Sequence, residues 1–400
     1  MAEHSATTEA DVLTPGHDIS RSLDDVVWVY VSPAILLLGI VGNSLVLTVM
    51  RRRTLTASTM SVYLAALAIA DTAALVLRIV PQWCKVVGVV DVAELSQWTC
   101  RTEKFSFYAA SDAAIWILVA FTVDRFVAVS FPLQKRRICV RRNAIRTNCV
   151  VWLLSVVKNT HVFWTRGAEL TDGNVVVTLC GRPEPYRHFE HHVRPWLAFF
   201  SVCVVPALVI VVCNVAIVRQ LARLRNVRRV AELPPAGSTD QRSVTEPSRA
   251  ADEVRGRRVG GVEVGAFAQT SMMCVAASLT FLACVPPSVA LTAGHVYWSH
   301  RRAYAVARTV NHQLACLNHA VNFILYCVAG RRFRAELAAV FRREHSTTTP
   351  PAPVCLSQLP TVSQAASHPV RTHSPLHAVT ASDEQVACSS KLTNIMESPR

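Results

Sequence analysis

Asp71, Asp112, Asp124, Arg125 and Lys158 are ionisable side chains set inside long apolar stretches of the sequence. An isolated charge at the centre of a hydrocarbon layer costs at least about 2.5 kcal/mol, so each needs polar company or a function. The amides of Asn43, Asn318 and Asn322 can supply that company to Asp71. Asp124 and Arg125 are adjacent, so the guanidinium can pair with its neighbour in one state and leave it in another, as a two-state switch requires. Asp112 lies twelve residues from both Cys100 and Asp124, which at 1.5 Å per helical residue puts it about 18 Å from either. Lys158 lies six residues beyond Trp152 in the next apolar stretch, about 9 Å along a helix. Similar depth and opposite sign suggest an intramembrane pair. The alternative is a snorkelling Lys158 with Asp112 protonated or bonded to a hydroxyl.

The elements that hold these residues follow from composition. The chain has 400 residues, 51% hydrophobic and 17% charged, with a mean hydropathy of +0.30. Soluble domains carry about a quarter charged residues, so an integral membrane protein is expected. Seven apolar stretches reach about 20 residues, the length that crosses about 30 Å of hydrocarbon. They centre on Val27–Met50, Thr59–Trp83, Phe105–Phe131, Ile145–Phe163, Trp196–Arg219, Gly265–Ala293 and Ala303–Ala329. The net charge of +14 would suggest a nucleic-acid partner on a soluble chain, but its distribution argues otherwise. Arg51, Arg52 and Arg53 follow the first span, Lys135, Arg136, Arg137, Arg141, Arg142 and Arg146 separate the third and fourth, and Arg331, Arg332, Arg334, Arg342 and Arg343 follow the seventh. The first 26 residues hold Glu3, Glu9, Asp11, Asp18, Asp24 and Asp25 against Arg21. The positive-inside rule places the N-terminus outside and the C-terminus inside. The expected fold is all-α, a seven-transmembrane helix bundle, with membrane lipid and not nucleic acid around it.

Residues 1–26 form the extracellular segment, with no apolar run that would mark a cleaved signal peptide, and residues 27–330 form the bundle. No Asn-x-Ser/Thr acceptor falls in an outer segment. Residues 226–262, rich in Arg, Glu, Pro, Gly and Ser, read as a disordered third cytoplasmic loop, and residues 344–400 as a disordered cytoplasmic tail. Phe333, Leu337 and Phe341 recur at four-residue spacing beside Arg331, Arg332 and Arg334, which predicts a short amphipathic helix over 331–343 on the inner membrane surface. No internal repeat is present, which argues against an inverted-repeat transporter.

Five local patterns then occur in order: Gly42-Asn43, Leu67-Ala68-Ile69-Ala70-Asp71, Asp124-Arg125-Phe126, Trp152 and Asn322-Phe323-Ile324-Leu325-Tyr326. With seven spans and an outer N-terminus, the chain resembles a rhodopsin-like G-protein-coupled receptor over residues 27–341. Spans six and seven, with their Asn-Phe-x-x-Tyr variant, also resemble invertebrate-type neuropeptide receptors. The resemblance implies a disulfide between Cys100 and Cys180, in the oxidising compartment. It implies coupling to a heterotrimeric G protein through Asp124, Arg125, Phe126 and Tyr326. It also implies a sodium ion at Asp71 with Asn43, Asn318 and Asn322, although Ala114 stands where a hydroxyl residue usually helps to ligate it. No other cofactor is expected. Three residues depart from the family pattern: Val285 replaces a Trp in span six, Phe323 a Pro in span seven and Asn214 a Tyr in span five.

Span seven contains no lysine, so no retinal Schiff base can form there, and Phe107 stands where aminergic receptors have an Asp. Arg78, Gln82, Glu103, Lys104, Phe107, Arg308 and His312 remain as ligand-binding candidates, a cationic and aromatic set that suits a peptide. The expected function is a plasma-membrane receptor for an extracellular neuropeptide, not an enzyme. A binding-only or constitutively active receptor, and more remotely a transporter or channel, are the alternatives. Ser346, Thr347, Thr348 and Thr349 are phosphorylation candidates that would recruit a basic partner of the arrestin type.

Overall fold

The computed structural model describes residues 24–52, 55–56, 58–172, 175–232, 247–294 and 303–346. A π-helical turn, Val27–Val31, leads into α1, Ser32–Met50. Helix α2 spans Thr59–Val86 and α3 spans Gln97–Ser130. Each starts at a serine that satisfies an orphan N–H: Ser58 Oγ accepts from Ser61 N at 3.3 Å, and Ser96 Oγ from Thr99 N at 3.0 Å. Helix α3 stops because Phe131 precedes Pro132 and is pushed out of the helical region, to φ −128° and ψ 71°. Helix α4 spans Arg141–Asn159. Helix α5, Val205–Glu232, follows two π-helical segments, Phe189–Val193 and Phe199–Val204. Each π segment ends two residues before a proline, Pro195 or Pro206, where a missing N–H interrupts the regular ladder. Helix α6 spans Pro247–Ala293 with Pro286 and Pro287 inside it. Helix α7 spans Ala303–Ala320 and resumes at Asn322–Ala329, and α8 spans Arg331–Ser346.

Five helical stretches among the described residues are long and apolar enough to cross a membrane: Asp24–Met50, Thr59–Val86, Gln97–Ser130, Glu184–Asn226 and Ala268–Ala293. The other two expected spans are helical but more polar. Arg141, Arg142, Arg146 and Lys158 dilute α4, and Arg308, Asn311, His312, Gln313, Asn318 and His319 dilute α7. Both pack into the bundle, α4 on α2 and α3, α7 on α1, α2 and α6. Helix α3 is central and touches α2, α4, α5 and α6. Leu64, Ile117, Phe121, Ile210, Phe281 and Tyr326 are core residues with almost no exposed surface. Gly42 lets α7 approach α1, since a Cβ there would come within 2.9 Å of Phe323 Cβ.

Three expectations are corrected. The fold is not wholly helical: β1, Ala168–Asp172, pairs antiparallel with β2, Val175–Gly181. The signal was present as Asp172-Gly173-Asn174 before three consecutive valines, a turn followed by β-branched residues. Residues 226–232 and 247–262, read as disordered, are helical extensions of α5 and α6, and residues 233–246 lie outside the described ones. Propagating a formed helix needs no new nucleus, so a charged run without Pro or Gly such as 226–232 continues it. Helix α8 likewise runs to Ser346, three residues past its expected end. Its Phe333 is buried against Phe323 and Tyr326, at ring-centroid distances of 5.9 and 6.0 Å, whereas Phe341 stays half exposed.

The hairpin is fastened twice. A disulfide joins Cys180 on β2 to Cys100 on α3, with the Cα atoms 5.5 Å apart. Glu94, before α3, accepts from Thr178 Oγ1 and from the Leu179 backbone N–H, both at 2.6 Å. Loss of a native disulfide costs about 2–5 kcal/mol. Cys100→Ser should therefore lower the melting temperature and surface expression, and thiol labelling of native protein without reductant should leave Cys100 and Cys180 unlabelled.

Candidate functional site

The end of the bundle that carries the disulfide holds a large cavity of about 720 Å³ lined by residues of α2, α3, α4, α6 and α7 and of the helical run before α5. Arg78, Phe107, Tyr108, Asp112, Lys158 and His312 line it. The Arg78 guanidinium lies 5.6 Å from the Trp28 ring and 5.5 Å from Phe107, where two π faces hold a cation without neutralising it. A side cavity of about 160 Å³ adjoins, lined by Arg182, Glu190, Arg194, Arg308 and His312 among others. Of the ligand candidates, Arg78, Phe107 and His312 face the large cavity, and Arg308 and His312 the side cavity. Gln82 and Glu103 line neither, and Glu103 pairs with Lys104 at 3.1 Å.

Asp112 and Lys158 come together on the cavity wall, Nζ to Oδ2 at 2.9 Å. Asn159 Nδ2 donates to the same oxygen at 2.6 Å, so the carboxylate has both an ionic and an amide partner from α4. Lys158 is 37% exposed and Asp112 only 8%, which makes the acid the buried member.

Glu190 went unnoticed in the sequence. It is 2% exposed and accepts from Arg166 Nη2 at 2.6 Å and Arg194 Nε at 2.9 Å, with Arg182 Nε at 4.0 Å. The Glu190 to Arg194 spacing of four residues is the one local signal for it. Arg194 also lies over the Tyr108 ring at 5.5 Å. Burial and the neighbouring Arg166 charge pull the Arg182 guanidinium below its usual range, against the opposing pull of Glu190.

Asp71 is 1% exposed, and both oxygens are met by α7. His319 Nδ1 lies 2.7 Å from Oδ1, and Asn322 Nδ2 donates to Oδ2 at 2.7 Å. Asn43 bonds instead to the His319 carbonyl at 3.4 Å, and Asn318 lines a void of about 10 Å³ beside the carboxylate. His319 was overlooked although it sits three residues before Asn322, hence on the same helix face. These residues do not fit a sodium ion, because side-chain nitrogens of His319 and Asn322 already occupy both carboxylate oxygens.

At the opposite end, Arg125 Nη2 contacts Asp124 Oδ2 and its Nε lies 3.2 Å from the same oxygen. Thr59 of α2 joins them: its Oγ1 donates to Asp124 Oδ2 at 3.0 Å and accepts from Arg125 Nη2 at 2.6 Å. Phe126 packs on Val129, Ile217 and Leu221. The Tyr326 hydroxyl and the Asn214 amide are buried without a hydrogen-bond partner among the described residues. Val285 lines the large cavity. Ser346 closes α8, and Thr347, Thr348 and Thr349 lie outside the described residues.

Removing one partner strands a buried polar group, at about 1–3 kcal/mol. Lys158→Met should lower the melting temperature accordingly, with partial rescue by Asp112→Asn in the double variant. Simple additivity of the two single losses would show that the pair is not coupled.

The family model described as 7 transmembrane receptor (rhodopsin family) matches residues 42–326. The chain is 29% identical to galanin receptor type 3 of Mus musculus over 344 residues, 84% of this chain and 82% of the relative. It is 27% identical to the KiSS-1 receptor of Homo sapiens over 322 residues, 77% and 72% of the two chains. It is 24% identical to cysteinyl leukotriene receptor 2 of Mus musculus over 252 residues, 62% and 69% of the two. The chain therefore belongs to the rhodopsin family of seven-transmembrane receptors, which are receptors and not enzymes.

Proposed function

We propose that this multi-pass membrane protein is a plasma-membrane receptor, with the disulfide end outside, that takes an acidic peptide into the large cavity and activates a heterotrimeric G protein at the opposite end. The cavity charges carry this reading. Arg78, Lys158, Arg182, Arg194 and Arg308 line the two cavities, against Asp112 and Glu190 as the only carboxylates among the described lining residues. Asp112 is taken up by Lys158, and Glu190 by Arg166 and Arg194. The surplus sits in a partly enclosed, low-dielectric site, where an unmatched cation attracts an anionic ligand far more strongly than at an open surface. A peptide supplies such a group as an acidic side chain or free C-terminal carboxylate; relatives named as galanin and KiSS-1 receptors support a peptide, and the cavity cations support its acidity.

The signal reaches the G protein through Asp124, Arg125 and Thr59. Arg125 is bonded in this state to its own neighbour and to α2, and it becomes available to a partner when α3 loses that contact. The unpartnered Tyr326 hydroxyl and Asn214 amide support a second state that satisfies them. A ligand shifts the balance only as far as its affinities for the two states differ. Phosphate on Ser346, Thr347, Thr348 or Thr349 would then add about −1.5 to −2 charges each beside α8 and recruit a basic regulator.

Arg125→Ala should abolish guanine-nucleotide exchange in vesicles holding the full chain and a G-protein panel while leaving ligand binding intact. Arg78→Ala should weaken an active acidic peptide by about 10–100-fold, the worth of one charge-assisted hydrogen bond, and barely affect the matching amide. Equal losses for both would contradict the anionic reading. Truncation after Glu344 should slow internalisation.

A further inference from the structure

The resemblance led to an exchangeable sodium ion at Asp71, and the residues around that carboxylate answer differently. His319 Nδ1 and Asn322 Nδ2 each lie 2.7 Å from one carboxylate oxygen of Asp71, so both oxygens already have a nitrogen partner whichever of the imidazole and the carboxyl group carries the shared proton. A hard cation needs a shell of oxygen ligands. Here the space beside Asp71 is about 10 Å³, room for about one water. Its walls are Leu67, Ala114, Ile115, Leu118, Ala277 and Phe281, with Asn318 and Asn322 as the only polar neighbours among the described lining residues. Among the described residues no hydroxyl faces it.

The histidine is also held in place. It is 8% exposed, and Asn43 Nδ2 donates to its backbone carbonyl from α1. Three helices therefore meet at this residue: α7 carries it, Asp71 of α2 hydrogen-bonds its ring nitrogen, and Asn43 of α1 bonds its backbone.

We infer that His319 is the built-in occupant of the Asp71 site. An imidazole N–H anchored to α7 stands where an exchangeable cation would otherwise sit, and the resting state does not respond to sodium. A diffusing ion leaves when its ligands spread, whereas a side chain leaves only if its helix moves. Opening the site thus requires α7 to shift against α2. His319 also forms part of the large cavity's wall, so an occupant of that cavity acts on this contact directly, without an intervening ion.

The test needs neither ligand nor G protein. The purified full-length chain is melted in sodium chloride and in potassium chloride at equal concentration. The wild type should melt at the same temperature in both salts. His319→Ser, which clears space and supplies a hydroxyl oxygen, should melt several degrees higher in sodium than in potassium, and His319→Ser with Asp71→Asn should lose that difference. A sodium-specific rise in the wild type that Asp71→Asn removes would overturn the inference, as would a folded His319→Ser protein that stays indifferent to sodium. The wild-type comparison decides even if His319→Ser fails to fold.

Discussion

A carboxylate withdrawn from water must be met by a donor, and in this bundle the donors come mostly from another segment. Among the described residues four acids are buried. Asp71 on α2 is met by His319 and Asn322 of α7, and Asp112 on α3 by Lys158 and Asn159 of α4. Glu190, before α5, is met by Arg166 from the far side of the hairpin. Asp124 is the exception, since its main partner is its own neighbour Arg125, with Thr59 adding α2. Removal of one such partner is far more damaging than the pair is stabilising, so these contacts specify which helices lie together more than they add net stability.

The distribution of these contacts separates fixed elements from movable ones. Helices α2, α3, α4 and α7 are cross-linked by buried acids. No acid among the described residues bonds α6. That helix meets α3 through apolar packing of Met273 and Phe281 and through weak contacts, Ser278 Oγ at 3.4 Å and Cys274 Sγ at 3.4 Å from Thr122 Oγ1. Loss of a hydroxyl or thiol contact is a small fraction of the penalty for stranding a buried charge. Against α3, the Ser278 and Cys274 contacts of α6 are thus weaker than the ion pair that holds α4, and α6 is the helix expected to move at the Arg125 end of α3.

Much of this was legible in the sequence because hydrocarbon enforces simple rules. Apolar length located the helices, and rise per residue placed Asp112 and Lys158 at one depth before any contact was known. Helix α4 and helix α7 needed the whole pattern, because their own polarity puts them below the length-and-composition requirement for a span. Three features were hidden for physical reasons. His319 meets Asp71 across 248 residues of sequence, and its own surroundings read as part of the span-seven motif. The Glu190 cluster depends on where a hairpin returns the chain, which neither hydropathy nor spacing encodes. The helical ends of α5 and α6 were missed because composition reports charge, whereas helix propagation depends on the turn already formed.

The central claim is that α6 moves away from α3 while α3 and α4, joined by Asp112, Lys158 and Asn159, stay together. Spin labels at the Ser130 end of α3 and the Ala268 turn of α6, with a control pair on α3 and α4, give the relevant distances by pulsed electron resonance. Addition of a nucleotide-free G protein should lengthen the α3 to α6 distance and leave the α3 to α4 distance unchanged. An unchanged α3 to α6 distance with the G protein bound, or equal movement of α4, would contradict the account.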